Sequence, residues 1–177
     1  MFTNEELRTV CFRGNKLYRH KVVRINYTTY DIRRAQDSLN PRTHADFMVL
    51  AHEDDEPNPF PYWFGRIVGV FHADVLHTGA ASKTSEVQRM DFLWVRWFGR
   101  DMQYRAGFKA KRLHRVGFLP GIESLGFLDP TEIIRAVHLI PAFAHGRCND
   151  LLGPSIVRQP KENHQDWVYF YINMYVF

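Results

Sequence analysis

Residues 52–56 read His-Glu-Asp-Asp-Glu and open the stretch "HEDDEPNPFPYWFGRIVGVF", which runs to residue 71. Acids beside a histidine are the ligands of a metal centre or the proton carriers of a hydrolase. They would serve equally as one wall of a cation pocket whose other walls are aromatic rings. The plainest use is a solvated turn that sets the register of the strand after it. Convergence separates these uses. Neighbours on an extended chain point apart, so four adjacent acids do not meet on one ion. No second acid pair at a recognisable spacing and no Asp-x-Asp-x-Asp-Gly loop supplies further oxygens.

The other reactive side chains lack a local framework. His72 and His77 stand five apart, and His138, His145 and Cys148 have a spacing that matches no zinc motif. Neither Cys11 nor Cys148 has a histidine or acid partner in a nucleophile signature, and no G-x-S-x-G elbow occurs. "FGRIVGVF" is a strand pattern rather than a phosphate-cradling turn into a helix. The expectation is therefore a protein without cofactor or metal that is not an enzyme. A metal-dependent hydrolase using His52 and its acids is the third alternative.

Two groups of residues suit recognition better. Arg13, Lys16, Arg19, Lys21 and Arg24 form one basic cluster; Arg105, Lys109, Lys111, Arg112 and Arg115 form another. Interleaved Tyr and Phe make Lys16, Arg19, Lys21, Lys109, Lys111, Arg112 and Arg115 candidates for phosphate contacts. The bland reading of each cluster is a solvated strand face. Tyr62, Trp63, Trp94, Trp97 and Phe98 concentrate on two neighbouring strands, with acids close by. Any one of these rings has an ordinary use in a core. Together with Asp54 and Asp55, however, Tyr62, Trp63 and Trp97 make a candidate pocket for an ammonium group.

The elements that must position them are mostly strands. "KLYRHKVVRINYTTYDI" (16–32) is rich in Val, Ile, Tyr and Thr and alternates, which favours strand. Residues 33–44, with Asn40-Pro41, read as loop. "ADFMVLAH" (45–52), "YWFGRIVGVFHADVLH" (62–77) and "MDFLWVRWFGR" (90–100) are the clearest strands. Gly65 and Gly69 inside the second suggest a bulge or a close backbone approach. Period two sets Leu93, Val95 and Trp97 on one face of the third and Phe92, Trp94, Arg96 and Phe98 on the other. A strand covered on both faces fits a barrel wall. The basic residues 101–118 end in a strand, and Asp129-Pro130-Thr131 starts a short helix. Residues 136–143 and 167–177 complete the strands, so the expected fold is mostly β: a small β-barrel with short helical segments.

Composition is compatible with this. Fourteen Phe, eight Tyr and four Trp in 177 residues supply a sizeable core. A formal charge of +4 permits a polyanion partner without requiring one. Residues 1–15 read as an N-terminal arm and 16–177 as one domain. Two cysteines, no signal-like start and no long apolar run point to an intracellular protein, nuclear or cytoplasmic, without a membrane partner. The final run "WVYFYINMYVF" suggests a chain that stops where a longer relative continues, and an unpaired edge there would favour a homodimer.

The segment "FMVLAHEDDEPNPFPYWFGRIVGVF" followed by "FLWVRWFGR" resembles the bromo-adjacent homology (BAH) domain of chromatin proteins. In that family an apolar strand leads through an acidic Pro/Asn turn into an "x-Y-x-A-R-I" strand and then a "V-x-V-x-W-F-x-R" strand. Tyr62, Arg66, Ile67, Val95, Trp97, Phe98 and Arg100 fall on those positions, and "TEIIRAVHLI" (131–140) is similar to a late strand of the family. The likeness spans about residues 46 to 140, while Trp63 stands where the family usually has an aliphatic residue. Segments such as "GFLDPTEIIRAVHLIPAF" also look like uncharacterised transposon-associated proteins of mushroom-forming fungi. The first resemblance implies a non-enzymatic module that binds a histone tail or nucleosome, with Tyr62 and Trp97 as pocket aromatics. The second implies a nucleic-acid-binding accessory domain of a mobile element, with DNA as partner.

Overall fold

A computed structural model describes residues 3–51, 60–80, 82–158 and 162–173. Fourteen strands follow one another among them. They are β1 (Val10–Phe12), β2 (Tyr18–His20), β3 (Val23–Thr28), β4 (Arg34–Leu39), β5 (Asp46–Leu50), β6 (Tyr62–His77) and β7 (Gln88–Arg100). The rest are β8 (Arg115–Phe118), β9 (Leu125–Leu128), β10 (Ile133–Ala136), β11 (Leu139–Pro141), β12 (Arg147–Cys148), β13 (Asp166–Trp167) and β14 (Phe170–Ile172). The only α-helix among these residues is Asn4–Arg8, closed by a Thr3–Glu6 capping box. The fold is mostly β, as its strand-like runs lead one to expect, and no described helix is long and apolar enough to cross a membrane.

Ten strands make one sheet in the order β10-β5-β6-β7-β8-β14-β11, with β1 and β2 also on β6 and β9 also on β7. β6 is the spine. Its first residues pair with β5, its later ones with β2 and then β1, and β7 runs along its other edge. The terminal strands of the order, β10 and β11, are separated only by Val137 and His138. One stretch of chain thus serves both ends, and the sheet curls into a barrel-like wall.

Both faces of the wall are packed. Phe64, Phe98, Val116, Phe118, Phe170 and Ile172 fill one side with Met48 and Leu139. Phe47, Val49, Ile67, Leu93 and Val95 fill the other, beneath Ile25 and Leu39 of the β3–β4 hairpin. The two glycines of β6 have distinct uses. A Cβ on Gly65 would lie 2.4 Å from the Phe47 ring, and Gly69 sits at a bulge in the β6–β7 register.

Several expectations are corrected. Residues 33–44 are not all loop: Arg34–Leu39 is β4, paired along its length with β3. Intrinsic preference for loop is overridden because Leu39 is buried and the Asp37 carboxylate accepts from Arg135 Nε at 3.0 Å and the Ala136 N–H at 2.9 Å. The run 16–32 is not one strand; it breaks at Lys21–Val22, and β2 and β3 lie in different sheets. Asp129 caps as expected, accepting from the Thr131 N–H at 2.8 Å, but only the single 3-10 turn Pro130–Glu132 follows. Within the stretch read as an arm, Val10–Phe12 is β1 and pairs with Val75, Leu76 and His77. Phe170–Ile172 of the C-terminal run is no edge, being paired with β8 and β11; residues 174–177 lie outside the described residues.

Candidate functional site

Three of the expected pocket residues border one cavity. Tyr62, Trp63 and Trp97 line a space of about 440 Å³ with Phe60, Arg100, Met102 and Leu119. That volume lies in the range of small-ligand pockets. The β6–β7 register explains the convergence: Gly65 faces Trp97, so Trp63, two residues back on the same face, reaches toward the Trp97 ring. The indole centroids are 6.3 Å apart with planes at 74°, two walls of a corner. Trp97 is braced from behind by the edge of Phe47, at 5.7 Å and 70°.

Alternation sends Tyr62 to the opposite face from Trp63. Tyr62 belongs to a second aromatic pair, with Phe60 at 6.4 Å and 84°. The expected single cage is therefore two pairs on two faces of β6 that share a cavity. Asp54 and Asp55, with His52 and the other acids of that run, lie outside the described residues. Ala51 and Phe60 flank them in the chain, and the Ala51 N–H donates to the Pro61 carbonyl at 2.9 Å.

A cation already stands in this cavity. The Arg100 guanidinium lies 5.4 Å from the Phe60 centroid and donates to Met102 Sδ at 3.0 and 3.1 Å. His114 packs against Phe60 at 4.7 Å, its ring tilted by 52°. Burial, seconded by the charge of Arg100, holds the His114 imidazole below its usual range.

The basic residues divide. Lys16, Arg19, Lys21, Lys109, Lys111 and Arg112 are exposed, and Arg112 lies 5.9 Å from the Tyr104 ring. Arg115 is not available for a phosphate. Its guanidinium donates to the Asp101 carboxylate at 3.0 Å through Nε and packs between Tyr104 and Tyr169, 4.1 Å from each centroid. Burial tends to raise the Asp101 pKa. The Arg115 hydrogen bond, the Gln103 N–H, the Arg115 charge and the Tyr104 N–H together outweigh it, and the carboxyl is held below its ordinary value. A depressed carboxyl stabilises the fold above the unfolded value and loses that contribution as pH falls through the folded one. The melting temperature of the native chain should therefore exceed that of Asp101→Asn by its full margin above about pH 5, and the margin should shrink below about pH 4.

A cavity that no local motif foretold gathers arginines. Arg19, Arg42, Arg66, Arg96 and Arg158 border a space of about 210 Å³ with Glu162. Arg66 and Arg96 face each other across the β6–β7 ladder, where like charges repel. Asp46, opposite Arg66 on β5, accepts two bonds from it at 2.6 and 3.0 Å. Asp166 takes a bidentate pair from Arg96 at 2.9 and 2.9 Å and a bond from Arg158 at 2.9 Å. Arg96, Arg158 and Asp166 are buried, only 3%, 7% and 3% exposed. Arg158 Nη2 also donates to the Leu152 carbonyl, and Arg96 Nε has no hydrogen-bond acceptor among the described residues. The signal that could have found this cluster is the lone charge of Arg96 in the otherwise apolar "FLWVRWF".

Comparison with protein-family models, with curated proteins and with solved structures finds no match to the chain.

Proposed function

We propose that the chain is a non-catalytic binding module that holds a lysine or methyl-lysine side chain of a histone tail or another chromatin partner in the Trp63–Trp97 corner. The observation that carries this reading is the corner itself. An ammonium seated there meets two negative π faces at once, each contact worth about 0.5–2 kcal/mol according to its desolvation. The likeness of residues 46 to 140 to chromatin readers supports the choice of partner.

Arg100 makes the reading testable by sign. Its charge opposes a cationic ligand and would favour an anionic one. In a calorimetric titration with a trimethyl-lysine peptide, Trp63→Ala should weaken binding at least about tenfold, the loss of one aromatic wall. Trp63 is 37% exposed, so this variant keeps its fold. Arg100→Gln should tighten peptide binding. An unchanged Trp63→Ala, or an Arg100→Gln that binds the peptide more weakly, would sink the proposal.

The arginine-lined cavity favours a second reading, a nucleic-acid-binding accessory domain. Arg19 and Arg42 are exposed at that cavity, where a phosphate would meet them. This reading expects affinity for a short DNA duplex that falls steeply with salt and is lost in Arg19→Glu, with no response to Trp63→Ala.

A further inference from the structure

Three adjacent strands bring together three ligand-bearing side chains that the sequence keeps far apart. Tyr18 of β2 pairs with His72 of β6, and His72 pairs with Asp91 of β7. His20, two residues after Tyr18, shares its face and reaches His72 diagonally. His20 Nε2 and His72 Nδ1 are 2.6 Å apart, and all three ligand atoms, one from each residue, lie within 4.8 Å of one another. We infer that His20, His72 and Asp91 form a binding site for a divalent first-row transition cation such as Zn²⁺.

The donor set suits the ion. Two imidazoles and one carboxylate bind zinc and its neighbours and leave at least one position open for water. Ligand atoms about 2.0–2.1 Å from a tetrahedral centre lie about 3.3 Å apart. The imidazole nitrogens are closer than this, so a small torsion that parts them reaches it. Two nitrogens at 2.6 Å cannot both carry protons. Either one N–H donates to the other nitrogen, or a cation takes the lone pairs of both.

The rings are already oriented. His72 stacks on Tyr18 at 4.6 Å and 8°, and on His20 at 4.8 Å and 25°. All three ligands stand on strands, which hold a site more tightly than loops do. His20 and His72 are half-buried and Asp91 is exposed, which leaves a path for the ion.

Arg89 is the competitor, since it donates to both oxygens of Asp91 at 2.8–3.2 Å. Asp74 faces Arg89 across the β6–β7 ladder. A second carboxylate is therefore at hand when Asp91 turns a lone pair to the metal. The ion would staple β2 onto the β6–β7 ladder.

The test is titration of the metal-free purified chain with Zn²⁺ by calorimetry and with Co²⁺ by visible absorption. One equivalent should bind with a dissociation constant of about 1 µM or tighter, and the Co²⁺ bands should indicate four or five ligands. His72→Ala and Asp91→Asn should each weaken binding at least about tenfold, while His138→Ala leaves it unchanged. Asp91→Asn alters an exposed group without changing its shape, so it decides the matter even if His72→Ala does not fold. No uptake at about 100-fold above that concentration, or equal affinity in Asp91→Asn, would overturn the site.

Discussion

Asp166→Ala should cost about 3–5 kcal/mol of folding stability, because it strands two buried guanidiniums without their shared carboxylate. Urea unfolding would read this as a large fall in midpoint at an unchanged slope. Total stabilities of about 5–15 kcal/mol are usual, so the variant would stand near the edge of unfolding. The loss does not measure what the cluster contributes. Replacing Arg96, Asp166 and Arg158 together with apolar residues of similar volume should recover most of it, since the desolvation of three charges then disappears with their attraction. A single Asp166→Ala within about 1 kcal/mol of the native chain would show that water reaches the two arginines.

Phe47→Ala should cost a similar amount, about 3–5 kcal/mol, for a ring with no exposed surface. The ring lies over Gly65, and Trp97 flanks that glycine from the other strand. This row is a packing unit, and its test is a coupling. Gly65→Ala alone brings a methyl to 2.4 Å from the Phe47 ring and should cost about 1–3 kcal/mol by overpacking. Adding Phe47→Leu should return part of that, so the two effects would not be additive. Additive losses would mean that the backbone yields at Gly65. Because Phe47 also braces Trp97, Phe47→Ala should loosen the aromatic corner as well as the core.

The strands legible in the sequence are those where propensity, alternation and burial agree. β5, β6 and β7 are runs of β-branched and aromatic residues, and the two-faced burial of β7 follows from its alternation. β4 was not legible, because "RAQDSL" prefers loop and becomes a strand through partners nearly a hundred residues away. At the site, the gathering of Trp63 and Trp97 was readable from their places on neighbouring strands. The separation of Tyr62 from Trp63 lay in the same period-two rule, applied to β6 rather than β7. Arg115 looked like a free basic residue because nothing local to it signals Asp101, Tyr104 and Tyr169 as its surroundings. The triad of His20, His72 and Asp91 and the cluster of Arg96, Arg158 and Asp166 needed the strand register, which a single sequence does not supply.

The distance along the chain from Arg96 to Asp166 also sets a clock. Seventy positions separate them. At a synthesis rate of about 5–20 residues per second, Arg96 leaves the ribosome roughly 4 to 14 s before its carboxylate does. Loops and hairpins close in microseconds, so the β6–β7 ribbon is complete long before that interval ends. It must wait with an unneutralised guanidinium on one face, and with Phe64 and Phe98 still lacking the cover of Phe170. Throughout that wait the newborn ribbon is a sticky, half-charged surface, and its exposure to other chains is governed by how fast translation delivers residues 158 to 172.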